Sequence, residues 1–457
     1  EIIVGNLDVQ ARGISSVNNT FAQPGNGPAG SGNPSSVSYS APSGGTVTFQ
    51  SGDGGTFVAG QTRADVTSEV SYTSNGSSFS IVDQPGRILV TNDSTATRDG
   101  MRFAGFTGLA SSGFSLGGDP GISIQAISGP VTIDGDLVLE ASAPIALGMA
   151  TGAGITVGNL ASITAAGGLS IVGEGTGRLI ANEVVVTSFA GITVSNSDCP
   201  EAACTVVTGL SSLRFDASSD IQLLGSSVVE GVGALDVYTF GNITGDAGSG
   251  YKSAGDLTVR AAGDATIRNV SGGSVELAAG AVVDGSTIYR NGLLTLGESE
   301  GGGDFQGASL RLLSGGDISD LGGNSFTSLD SINLRSGNDI VVGSGSRFVA
   351  NSGSSGTAAV TFSAGGLGIA YDLEPSDIPT LRFMDGASVD AGLGTINLFG
   401  AAIDARLASF TAGNFRADIN QALAFGAPRG SDGGKLEPDC LEGAICVGQI
   451  SATGTVS

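Results

Sequence analysis

The sequence predicts an all-β chain, wound as a right-handed parallel β-helix with a less regular β-rich region at its N-terminus. Three observations lead there. Short runs of about five residues alternate apolar and polar side chains, the period of strands with one buried face. Between them recurs a turn signature: Gly, then Asp or Asn, then an aliphatic residue. Finally, Gly fills 77 of the 457 positions while aromatic residues make up only 5%. Corners are therefore abundant, and most inward positions fall to Val, Ile, Leu and Ala.

Taken in order, residues 1–130 read as an N-terminal β-rich arm and capping region. Gln23 to Gly45 is rich in Gly, Pro, Ser and Asn and reads as a long loop. Thr46 to Gln50, Glu69 to Thr73 and Arg87 to Thr91 have strand character. Residues 131–427 carry the repeat. Asp256 to Arg260, Ala308 to Leu313 and Ser331 to Arg335 alternate Leu, Ile or Val with Thr, Ser, Asn or Arg. Gly135-Asp136-Leu137, Gly241-Asn242-Ile243, Gly255-Asp256-Leu257, Gly316-Asp317-Ile318 and Gly337-Asn338-Asp339-Ile340 supply the corners. Gly accepts positive φ there, and Asp or Asn bonds nearby backbone. The spacing suggests coils of roughly 20 residues. Residues 428–457 form a polar loop, a cysteine loop and a terminal strand. Tandem β-sandwich domains are the alternative, but they call for hairpins, longer strands and a more aromatic core.

Composition narrows the function. The net charge of −24 and pI near 4.1 argue against a nucleic-acid partner, which requires clustered Lys and Arg. No apolar run approaches the ~20 residues of a transmembrane helix. The chain begins at Glu1 rather than Met, as expected of a processed or trimmed form. Cys199 with Cys204, and Cys440 with Cys446, are two local pairs that read as small disulfide loops of an oxidising, extracellular compartment. A four-cysteine zinc site is the rival, although its usual spacing is tighter.

There is no His, so Ser-His-Asp and Cys-His arrangements are excluded, and no Walker-type loop occurs. The carboxylate pairs Asp134/Asp136, Asp317/Asp320 and Asp372/Glu374 are read as turn residues, so no catalytic residue is assigned and no enzyme is expected. A β-helical polysaccharide-active enzyme is the remaining catalytic alternative. No cofactor is required. Calcium is the one cation whose oxygen ligands the turns offer, with Asp134 and Asp136 as its candidate metal ligands.

The stretches AGDLTVRAAGDATIRNVSGGSVELAAGAVVDG (254–285) and SGGDISDLGGNSFTSLDSINLRSGNDIVVGSGSRFVA (314–350) resemble the repeats of filamentous-haemagglutinin-type exoproteins, over roughly residues 130 to 425. The resemblance implies a right-handed parallel β-helix, secretion to the cell surface, and a role in adhesion or matrix. The expected function is an extracellular structural protein that assembles with itself into a surface filament or matrix. Assembly would proceed by head-to-tail stacking, or by donation of a terminal strand beginning Glu1, Ile2, Ile3, Val4. A monomeric adhesin or surface-layer protein is the alternative, with cell-surface or matrix glycans as partners.

Overall fold

The computed structural model describes residues 144–419 and 445–457, except 153, 198, 200–203, 285, 299–300, 352–357 and 366–378. Before residue 144 it describes the backbone of the strands from Ile2–Ile3 to Asp136–Ala141, and the side chains of Leu137 and Leu139. Every described element is a strand, as the alternating runs predict. Pairing is parallel wherever it is described, except in one hairpin, Ala281–Asp284 with Ser286–Tyr289. Tandem sandwiches would instead be built on antiparallel pairs.

The chain forms two units, Glu1–Ala234 and Leu235–Ser457. In the first, Ile145 pairs with Leu169, Leu169 with Ile192, and Ile192 with Ile221. Two of these register steps span 24 and 23 residues, and the third spans 29 because it contains the Cys199–Cys204 loop. Parallel pairing also joins strands on either side of the expected boundary between 130 and 131. Val131–Ile133 lies between Phe79–Thr91 and Gly154–Ala165, and Ile145–Met149 pairs with Ile122–Ala126. Within the strands burial alternates, as in Leu169–Glu174, where Leu169, Ile171 and Gly173 face in.

In the second unit one ladder runs Ile243, Ala265, Leu294, Ile318, Ile340, Leu381, Ile403, Ile445. Most steps span 22 to 24 residues, and three are longer, at 29, 41 and 42. Most of the extra residues leave the ladders at one corner, after Ala279, after Ser363 and after Ile419, and a shorter insertion lies at another corner, between Arg347–Ala350 and Ala359–Ser363. The longest insertions of this unit therefore share one corner, and in repeat arrays such a place is often a binding face.

Inside this unit the aromatic residues stack although they are far apart in sequence. Phe305, Phe326 and Phe348 occupy the same register position, with ring centroids 4.6 and 4.2 Å apart. Phe362, Phe383, Phe410 and Phe415 extend the column edge to face. Each ring buries a large apolar area and gains from its neighbours' quadrupoles. The hairpin adds a small core outside the ladders. Ala278 and Leu313 sit at outward positions yet are fully buried, packed with Ala281 at the hairpin base.

Candidate functional site

The recurring Gly-Asp/Asn-aliphatic signature resolves into a column of side chains at the insertion corner of the second unit. Asn242 Oδ1 accepts from the Asp264 N–H at 2.9 Å, and Asp264 Oδ1 from Leu293 N–H at 2.8 Å. Asp317 Oδ1 accepts from Asp339 N–H at 3.0 Å, and Asp339 Oδ1 from Thr380 N–H at 2.6 Å. Each acid or amide thus satisfies a backbone donor on the next strand of the stack, where the ladder would otherwise leave it open.

The proposed carboxylate pair Asp317/Asp320 is separated by the fold. The two lie at opposite ends of the strand Ile318–Asp320, and so at different corners. Asp317 caps the neighbouring strand, whereas Asp320 faces inward and is 3% exposed. Asp320 accepts from Gly322 N–H at 3.1 Å, Gly343 N–H at 3.0 Å and the Asn324 amide, and Asn324 also donates to Leu296 O at 3.1 Å. Burial pushes the Asp320 carboxyl above the usual carboxylate range, against the pull of its hydrogen bonds from Ser346, Asn324, Gly322 and Gly343. Asp404 goes the other way. Burial raises it, but the hydrogen bonds and charge of Arg406, with Arg382 behind, more than offset this and hold it below the usual range.

Of the other sequence candidates, Cys199 and Cys204 form the expected disulfide, with Cα atoms 5.9 Å apart. Cys440 lies outside the described residues, and Cys446 is placed by backbone alone in Ile445–Ala452. Asp134, Asp372 and Glu374 lie outside them too, and Asp136 is seen only as backbone at the start of Asp136–Ala141. Among the described residues no group of three or more Asp, Glu, Cys or His could hold a metal ion. Glu1 and Val4 also lie outside the described residues. Ile2–Ile3 and Asn6–Ala11 already pair with Ser36–Ala41 and Thr46–Ser51 of the same chain. No described helix is long and apolar enough to cross a membrane.

Two features escaped the sequence reading. Tyr251 and Ser253, inward on Gly250–Ser253, bury hydroxyls with no hydrogen-bond partner, and burial drives the Tyr251 phenol well up. More prominent is the outer face of the parallel sheet that includes Ser274–Ala279, Asp304–Ser314, Ser325–Ser336, Ala359–Ser363, Thr395–Gly400 and Asn414–Ile419. One outward column runs Glu276, Arg311, Asn333, Thr361, Asn397, Arg416. The column beside it runs Leu313, Arg335, Ser363, Phe399, Asp418. Neither column has a one-dimensional signature, because successive members lie on separate strands of the ladder.

No protein family, curated protein or solved structure matches this chain.

Proposed function

We propose that each unit winds its ladders as a right-handed parallel β-helix, and that the protein is an extracellular structural component rather than an enzyme. Copies associate into a surface filament or matrix. The observation that carries this reading is the use made of the carboxylates. Asp264, Asp317 and Asp339 hold neighbouring strands together through backbone N–H groups, and Asp404 is committed to Arg406. Acid chemistry spent on stitching a repeat array suits a scaffold. A general acid–base pair would instead face a common cleft. The Cys199–Cys204 disulfide fits an oxidising compartment.

Stacking of ladder ends between copies is favoured over donation of residues 1–10, since strands there already have partners within the chain. The second reading, a monomeric adhesin, is favoured by the arginine and aromatic residues on the outer sheet of the second unit. Negative-stain microscopy of the purified chain over a dilution series, with and without chelator, tests the assembly reading. Uniform filaments are the expected result, and their loss under chelator would add calcium to the assembly. Isolated particles at every concentration would overturn self-assembly and leave the adhesin.

A further inference from the structure

We propose that the outer face of this sheet, from Arg311 to Arg416, is a binding site for a carboxylate-bearing oligosaccharide lying across the strands. The proposal goes beyond the scaffold reading and holds for a monomer or a filament.

The argument starts from charge. The chain carries −24 overall, yet this strip presents Arg311, Arg335 and Arg416 within five neighbouring strands. Two acids flank them. Glu276 pairs with Arg311 at 2.9 Å and with Arg260 at 2.8 Å, and Asp418 pairs with Arg416 at 2.7 Å. The Arg311 and Arg416 side chains remain 52% and 55% exposed. The Arg416–Asp418 pair, exposed on both sides, is weak and exchanges partners at little cost. Glu276 is largely buried and engages Arg311 through Nη1 alone. Both guanidinium groups therefore keep donors able to receive a ligand carboxylate.

Between the arginines the surface changes character. Asn333, Thr361 and Asn397 offer one hydrogen-bonding side chain per strand, and Asn397 Nδ2 donates to Thr361 Oγ1 at 3.3 Å. With strands about 4.8 Å apart, Arg311 and Arg416 are separated by four steps, or about 19 Å. A ligand filling this strip must be extended, carry polar groups along its whole length and carry negative charge. Phe399 lies beside the polar column with the Arg416 guanidinium 5.3 Å from its ring centroid, which orders both groups and offers a flat face for a sugar ring. Of the other described Phe, all but Phe189 and Phe240 are buried.

An acidic peptide fits less well. Peptides bind sheets by adding a strand at an edge, and here the strands of the strip are already paired on both sides from Ser325–Ser336 to Thr395–Gly400. The hairpin Ala281–Asp284/Ser286–Tyr289 covers Leu313 at one end of the second column, and the other two long insertions leave the ladders at the same corner. The strip therefore lies beside the corner where the second unit places its longest additions.

The test is calorimetric titration of the full chain with a galacturonate octamer, alongside an uncharged oligosaccharide of equal length. The expected result is binding of the uronate alone, weakening as salt is added. The double substitution Arg335→Gln/Arg416→Gln is expected to weaken it by about tenfold or more. Arg214→Gln, an exposed arginine of the first unit, serves as the control and should leave affinity unchanged. Circular dichroism on each variant separates lost binding from lost fold. No uronate binding by the native chain, equal binding of the uncharged oligosaccharide, or equal weakening by Arg214→Gln would each overturn the proposal. So would salt-sensitive self-association, seen by sedimentation without the octamer and lost in the double variant, since the strip would then serve a second copy. Filament formation is read separately by microscopy, so neither result decides the other.

Discussion

Removing one ring from the middle of the phenylalanine column should cost far more than removing an exposed one. Phe348 is fully buried, stacks on Phe326 at 4.2 Å and meets Phe362 edge to face at 5.1 Å. Truncating a buried Phe to Ala costs about 3–5 kcal/mol through lost transfer energy and the cavity left behind. The aromatic pairings belong to that loss and place Phe348→Ala near the top of the range, at about 4–5 kcal/mol. Neighbouring strands are held by parallel ladders on both sides and cannot collapse far into the gap. Phe348→Leu, which leaves most of the volume filled, should cost roughly 1–2 kcal/mol. Phe240→Ala removes a ring that is 58% exposed and should stay within about 0.5 kcal/mol. Urea unfolding followed by far-ultraviolet circular dichroism reads these values. At a slope of about 3 kcal/mol per molar, Phe348→Ala moves the midpoint by about 1.5 M. Because repeat arrays unfold segment by segment, hydrogen exchange should localise the loss to strands beside Phe348. A midpoint shift no larger than that of Phe240→Ala would refute the stacked column.

Other expectations follow from the corners. Asp339→Ala removes the acceptor for Thr380 N–H and should cost about 1–2 kcal/mol, read by thermal unfolding, with Asp339→Asn retaining most of it. Gly315→Ala would drive a methyl group into the Arg290 carbonyl oxygen at the hairpin base, and should destabilise the second unit by more than about 2 kcal/mol in urea. At Gly152 φ is +74° but the space is open, so Ala there should cost only about 1 kcal/mol. Reducing Cys199–Cys204 opens a short loop and should cost the first unit about 2 kcal/mol, visible as a reductant-dependent shift in its melting. For Asp404 the folded pKa is lowered. Its stabilisation is therefore present above the ordinary carboxylate pKa and is lost as pH falls through the folded value. The gap in stability between the native chain and Asp404→Asn should accordingly close on acidification. Asp320, with a raised folded pKa, has the opposite sign, its contribution being present in acid and lost as pH rises through the folded value.

Much of this architecture is legible residue by residue. Leu257 and Val259 alternate with Thr258 and Arg260 along the chain as they do across the strand Leu257–Ala261. The Cys199 and Cys204 loop is short enough to read as a bridge before any fold is known. The signatures at Asn242, Asp317 and Asp339 mark corners correctly. The irregular spacing of the repeat also has a cause, since the long steps contain the hairpin, the cysteine loop and the other insertions. Outward Leu313 could not be recognised as buried, because what covers it arrives from Ala281 at the base of an antiparallel hairpin.

The sequence alone determines an all-β chain, through its period-two burial and its glycine-rich corners. Local steric preference and side-chain alternation suffice for that, because both act within a few residues. Only the tertiary structure decided which neighbours meet. Asp317 and Asp320 are three positions apart, yet one caps the next strand while the other is buried among four hydrogen-bond donors. Phe305, Phe326 and Phe348 become one stack, and Arg311, Asn333, Thr361, Asn397 and Arg416 one polar column. These contacts depend on register between strands separated by 19 to 36 residues of chain, including every loop between them. No local preference encodes that register. It is set by the summed packing of all inward side chains on one another.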